Sequence, residues 1–125
     1  MSSDAQPITP HGGRLVNRIL PESEREIWRE KRDELETVVL DTRQENDLEM
    51  IAIGAYSPLT GFMGSEDHHS VVRDMELVDG TPWPIPITLS VPEPKAQSLP
   101  GEGAVALENE EGDFLAVLHL REKYS

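Results

Sequence analysis

Apolar residues are scarce at the start of the chain and then return with two different periods. Within residues 1–13, Ile8 is the one large apolar side chain after Met1, set among Pro7, Pro10 and the pair Gly12-Gly13. That mixture predicts an extended arm that orders by docking on a body. From Ser23 the pattern turns helical. Ser23-x-x-Glu26 has capping-box spacing, Pro21 fixes the approach, and Ile27, Trp28, Lys31 and Leu35 fall on one stripe. The β-branched run at residues 37–40 predicts a short buried strand. A second helix follows, with Asn46 or Asp47 as its cap. Its Leu48, Ile51, Ala52 and Ala55 recur at helical spacing, and Met50 and Ile53 widen the apolar face, so the helix is expected to be largely buried. It stops near Gly54, because Ser57-Pro58 disfavours helical geometry. Ser65 is expected to cap a third short helix with Val71, Val72 and Met75 facing inward.

Residues 83–91 change the period to two. Trp83, Ile85, Ile87, Leu89 and Val91 alternate with Pro84, Pro86, Thr88 and Ser90. The alternation predicts a one-sided strand, with Pro82, Pro84 and Pro86 removing amide donors from a single edge. Residues 104–107 and 114–120 flank a polar turn and predict a hairpin, joined to the preceding strand by a loop over residues 92–103. Strands mixed with short helices predict an α+β domain or a small, partly open β-barrel.

Charge narrows the possible partners. The 125 residues carry 24 Asp plus Glu against 11 Lys plus Arg, a formal charge of -13. Such a field opposes nucleic acid and anionic membrane surfaces, whose affinity rests on Lys and Arg displacing counterions. Only Lys31, Lys95 and Lys123 are lysines, and a Lys-poor, Glu-rich surface is also what a salt-rich cytoplasm favours; it predicts a melting temperature that climbs with added salt. With no cysteine, thiolate metal sites, disulfides and Cys nucleophiles drop out. The start lacks a signal-like apolar stretch, so the expected location is cytoplasmic, with no membrane partner.

The residues offer little catalytic chemistry. There is no Walker-type glycine loop, Gly101-Glu102-Gly103 puts an acid where an anion would sit, and no Gly-x-Ser-x-Gly elbow occurs. His11-Gly12-Gly13-Arg14 is the best local anion candidate, since two glycines let successive amides converge beside a guanidinium. A packing corner is the weightier alternative for the same four residues. Adjacent His68 and His69 diverge around a helix and do not form a metal pair, and His119 has no nearby partner ligand. Trp28 and Trp83 sit on apolar stripes, where packing outweighs base stacking.

Four phrases stand in order along the chain: PHGGRLVNR (residues 10–18), DLEMIAIGAYSPLTGFMG (47–64), SVVRDMELVDGTPWPIPITLSV (70–91) and FLAVLHLREKYS (114–125). Together they resemble the amino-terminal domain of ATP sulfurylase, or sulfate adenylyltransferase, across nearly the whole chain. Tyr56, where that family often has Phe, and His68-His69, in place of a commoner acid-aromatic pair, are small departures. The resemblance implies a PUA-like, partly open mixed β-barrel over residues 21–125 with short peripheral helices, preceded by a docked arm over residues 1–20. It also implies that the barrel continues a little past Ser125.

The family joins ATP and sulfate into adenylyl sulfate and pyrophosphate through loops of a following catalytic domain. Neither loop occurs here, so the resemblance implies a non-catalytic domain that holds no cofactor, ATP and sulfate being substrates of the whole enzyme. Its implied partner is that catalytic domain, in the same chain or another, with a homo-oligomer possible. His11, Gly12, Gly13 and Arg14, with Gly54, Ser57, Pro58, Leu59, Gly61, Phe62, Trp83, Pro84 and Pro86, become the expected structural and interdomain signature. The alternatives are a stand-alone binding or regulatory module, with RNA binding disfavoured by the missing basic face.

Overall fold

The computed structural model describes residues 10–124. Its centre is the predicted hairpin. Strand β2 (Gly103–Glu108) pairs antiparallel with β3 (Phe114–Leu120), Val105 opposite Leu118. The turn is held by Asn109, whose side-chain oxygen accepts from the Glu111 and Asp113 amides. Strand β1 (Glu36–Val39) joins the other edge of β2 in parallel, Val38 opposite Leu107, which gives a mixed sheet in the order β1-β2-β3.

Strand periodicity assigns the faces. Val38, Val105 and Leu107 point inward, where Leu40 and Leu99 complete a core flanked by Leu89, Val91, Ala116, Leu118 and Leu120. The opposite face carries Thr37, Ala106 and Val117. Ala106 is fully buried there although it points away from the core. Helix α1 (Glu22–Lys31) and the single turn that follows it, Arg32–Glu34, supply cover: Trp28 meets His119 of β3 edge-on at 5.7 Å, and Arg32 donates to Glu108 at 2.5 Å and to the Gly112 carbonyl at 2.6 Å. The Arg32 guanidinium also lies 5.3 Å from the Phe114 ring centroid.

A second core gathers the segments between β1 and β2. Ile51 of α2 (Thr42–Ile53) and Val71 of α3 (Ser65–Asp74) pack with Leu59, Met63, Leu77, Trp83 and Ile87. Phe62 touches both cores. The short α4 (Glu93–Ser98) leads back to the sheet.

Several expectations are corrected. Helix α1 begins at Glu22 behind Pro21, without a side-chain cap, because proline already holds the extended entry conformation. Helix α2 begins five to six residues earlier than a cap at Asn46 or Asp47 would place it, since Asp41 and Gln44 form a reciprocal capping box. Of its apolar stripe only Ile51 is buried, so the helix lies on the surface rather than inside.

Helix α3 is not capped by Ser65. The residue before it is Gly64, which brings no cap, and the missing acceptor comes from the distant Glu122 carboxylate. Within α3, Val71 faces inward as expected, but Val72 and Met75 are 63% and 59% exposed. Residues 92–103 hold α4 instead of a plain loop, Pro94 being tolerated in its first turn.

The largest correction concerns residues 83–91. The alternation survives in burial, Trp83 and Ile87 inside and Pro84 outside, yet Ile85 is 54% exposed and the segment forms no ladder. Its anchors are a bridge between Pro82 and Glu76, the Trp83 amide on the Met75 carbonyl, and Met63, whose amide donates to the Ile87 carbonyl at 2.8 Å. The alternate prolines strip one edge of donors, and on the other edge the Trp83 and Ile87 amides go to the Met75 carbonyl and the Met63 sulfur instead of to a strand. Between residues 90–92 and the unpaired edge of β1 runs an open groove of about 570 Å³, so the barrel is open along this seam.

Candidate functional site

The first half of the signature converges on one corner. Gly12 and Gly13 both adopt left-handed backbone, at φ 74° and 81°, which turns the arm sharply and lets the Gly13 amide donate to the Pro10 carbonyl at 2.8 Å. A Cβ at Gly12 would stand 2.8 Å from Pro58 Cγ, so the corner is seated directly on the proline ring. The Ser57-Pro58 peptide is cis. His11 Nε2 lies 2.6 Å from the Pro82 carbonyl oxygen and therefore carries the proton in that contact. The imidazole sits 5.7 Å from the Trp83 ring, which meets Tyr56 edge-on at 5.8 Å on another side. Trp83 Nε1 is buried without a hydrogen-bond partner.

Past the corner, the arm is tied to the end of α2. The Ser57 hydroxyl donates to the Gly54 carbonyl at 2.6 Å and accepts from the Val16 amide at 2.9 Å. Its single proton is committed and the oxygen is buried, so it is a brace rather than a nucleophile. Gly54 ends α2 in left-handed geometry at φ 87°, where a Cβ would come within 2.5 Å of the Val16 carbonyl oxygen. The Arg18 amide adds a bond to the Ala52 carbonyl at 2.9 Å.

His11, Gly12, Gly54, Ser57, Pro58 and Trp83 thus meet in one place. Gly13 and Arg14 belong to the same turn but face solvent. The guanidinium of Arg14 acts on the neighbouring 79–81 turn, where Asp79 has its carboxyl held below the ordinary value, chiefly by hydrogen bonds from Thr81 and least by Arg14. The other signature residues lie apart: Leu59 is inside the second core, Phe62 stands between the cores, Gly61 has open space around it, Pro84 is exposed and Pro86 half-buried.

Two amides of the corner are engaged internally, that of Gly13 by the Pro10 carbonyl and that of Val16 by the Ser57 hydroxyl. Beside the exposed Arg14, the corner and its neighbours also show apolar side chains to solvent. Leu15 is 66% exposed beside Gly54, and Ile19 and Ile53 lie open on the two segments that the Arg18–Ala52 bond joins.

A second set of long-range contacts escaped the sequence. Glu122, Lys123 and Tyr124, just after β3, reach Ser65, the α4 carbonyls and Met63 respectively. Sequence separations of 57 and 61 residues for the outer two leave no local signal for those pairings. The Asp41-x-x-Gln44 box, by contrast, was there to be found.

A corner built to brace an arm, beside an open mixed sheet, fits a structural domain. The family model described as "PUA-like domain" matches residues 8–125, and the chain belongs to that family. The particular relatives are enzymes. The chain is 51% identical over 125 residues to a sulfate adenylyltransferase of Nostoc punctiforme, covering all of this chain and 32% of that one. It is 47% identical over 124 residues to the sulfate adenylyltransferase of a Synechocystis strain, covering 99% of this chain and again 32% of the relative. The chain therefore spans about a third of the length of these relatives, in their amino-terminal part. Among solved structures, it superposes on a hexameric APS kinase from Thiobacillus denitrificans with a TM-score of 0.82 at 43% identity, covering 96% of this chain and 24% of that one. No helix among the described residues is long and apolar enough to cross a membrane.

Proposed function

We propose that this domain is the non-catalytic amino-terminal part of a sulfate adenylyltransferase, and that it serves the reaction of ATP with sulfate by packing against the catalytic part. The observation that carries this is 51% identity along the entire chain to an enzyme about three times its length. The corner supports it, because the Ser57 hydroxyl and the Val16 amide are spent on internal bracing while Leu15, Ile19 and Ile53 remain open for a neighbouring surface. The described tail also favours a rigid attachment, since Glu122, Lys123 and Tyr124 each bond to the body.

The interdomain surface in this proposal is the 11–14 corner with the adjoining 15–19 segment, supported from below by residues 57–63. The test is sulfate-dependent exchange of pyrophosphate into ATP. The 125-residue chain is expected to show none, and the natural longer polypeptide to show it. Exchange by the 125 residues alone, or none from the longer protein, refutes the proposal.

A further inference from the structure

Acidic residues avoid the corner. All 24 Asp and Glu of the chain lie outside residues 5–21, 50–65 and 80–92, and the two later segments hold no Lys or Arg either. The three stretches are distant in sequence, yet the fold brings their described residues together. Gly12 is seated on Pro58, His11 bonds to the Pro82 carbonyl, the Val16 amide to the Ser57 hydroxyl and the Arg18 amide to the Ala52 carbonyl. A molecule of formal charge -13 has thus built one corner without an acid.

Two positive charges stand on that corner. Of residues 14–19 only Val16 is buried, and Arg14, Leu15, Asn17, Arg18 and Ile19 are exposed. Arg25, Arg29, Arg32 and Arg73 each pair with a carboxylate of this chain, whereas Arg14 and Arg18 pair with none among the described residues. Of the acids at the border, Asp47 accepts from the Tyr56 hydroxyl at 3.3 Å and Asp79 from the Thr81 amide at 2.9 Å, while Glu49 faces solvent one turn ahead of Ile53.

Interface centres exclude Asp and Glu and retain Arg with large apolar side chains. Arg14 and Arg18 beside Leu15, Ile19 and Ile53, each of the three at least half exposed, have that composition. Covering them would strip water from both guanidinium groups, and a charge that loses water without gaining a partner is costly. The corner has no acid to give, so the partner charge must come with the cover. We infer that the surface covering this corner carries carboxylates, which accept from Arg14 and Arg18 around an apolar centre on Leu15, Ile19 and Ile53. The inference rests on the proposed function, which assigns that surface to the catalytic part.

Phenylglyoxal modifies free guanidinium groups, and mass spectrometry resolves the adducts site by site. Rates at Arg14 and Arg18 are compared between the 125-residue chain and the natural longer protein, with Arg29, paired to Glu22 within the chain, as the reference. Pairing is expected to slow both sites at least about tenfold in the longer protein and to leave Arg29 unchanged. Charge variants of the longer protein then test for carboxylates. Arg18→Glu sets like charges against each other and is expected to speed the reaction of Arg14 at least about fivefold, whereas Arg18→Lys keeps the charge and the protection. Circular dichroism checks that each variant is folded.

Equal rates at Arg14 and Arg18 in the two proteins overturn the inference. So does protection of Arg14 that survives Arg18→Glu, which makes the cover apolar alone. Protection in the 125-residue chain that grows with its concentration overturns it too, because the cover is then a second copy. Pyrophosphate exchange is assayed on unmodified portions of the same samples. Protected arginines that Arg18→Glu releases, without exchange, uphold the carboxylate contact and defeat the proposed activity, while exchange with unprotected arginines does the reverse.

Discussion

Replacing Gly54 by alanine tests whether the arm is braced as described. Alanine in left-handed backbone costs about 1–2 kcal/mol. The added methyl would also stand 2.5 Å from the Val16 carbonyl oxygen, a backbone atom that cannot move without moving the arm. Shifting it weakens the Val16–Ser57 and Arg18–Ala52 hydrogen bonds, both 2.9 Å long. Each contributes about 0.5–1.5 kcal/mol net. Partial loss of the two brings the expected destabilisation to about 3 kcal/mol. For a domain of this size that is a large share of a stability of about 5–15 kcal/mol, and it lowers the melting temperature by roughly 10 °C.

Urea unfolding followed by circular dichroism measures the change, with Gly61→Ala as the control. Gly61 has ordinary backbone and open space around it, so its variant is expected within about 0.5 kcal/mol of the parent. Amide exchange at Val16 and Arg18 locates the damage. A loss below about 1 kcal/mol at Gly54, or unchanged protection of those two amides, refutes the brace.

Two more outcomes follow from the described contacts. Arg32→Ala is expected to cost about 1–3 kcal/mol, because it removes a charge-assisted bond to Glu108, a bond to Gly112 and packing on Phe114; a double-mutant cycle with Glu108→Gln that shows no coupling contradicts this. Burial, followed by the Asp47 carboxylate, raises the Tyr56 hydroxyl above its ordinary value of 10.0, and burial followed by Glu122 raises that of Tyr124. A folded value above the unfolded one means stability that is present below the unfolded value and is lost as pH rises through the folded one. Ultraviolet titration is expected to show both tyrosines ionising above 10.0, with Tyr56→Phe and Tyr124→Phe each reducing the alkaline loss of stability; ordinary midpoints contradict it.

Local chemistry made the hairpin legible, because its pairing is between neighbours and its turn residues bond to themselves. The stop of α2 was equally readable, since a glycine ahead of Ser57-Pro58 has few other roles. Legibility failed where distant segments supplied the partner. Ser65 looked like a cap, but Glu122 arrives from 57 residues away to do that work. Val72 and Met75 carried the right hydrophobicity for a core and stand outside, because hydrophobicity reports that a residue seeks cover and not what covers it. Residues 83–91 had the period of a strand, yet period constrains side chains while ladders need amides, and three alternate prolines have none. At the corner, the sequence named His11, Gly12, Gly54, Ser57, Pro58 and Trp83. Their convergence through one serine hydroxyl and one proline ring belongs to the fold alone.

Phe62 ties the two apolar clusters to one another. Its ring is partly buried and packs against both, so cutting it back to a methyl removes apolar contact from each at once. Damage at that one side chain is therefore expected to loosen the helical half and the sheet half together.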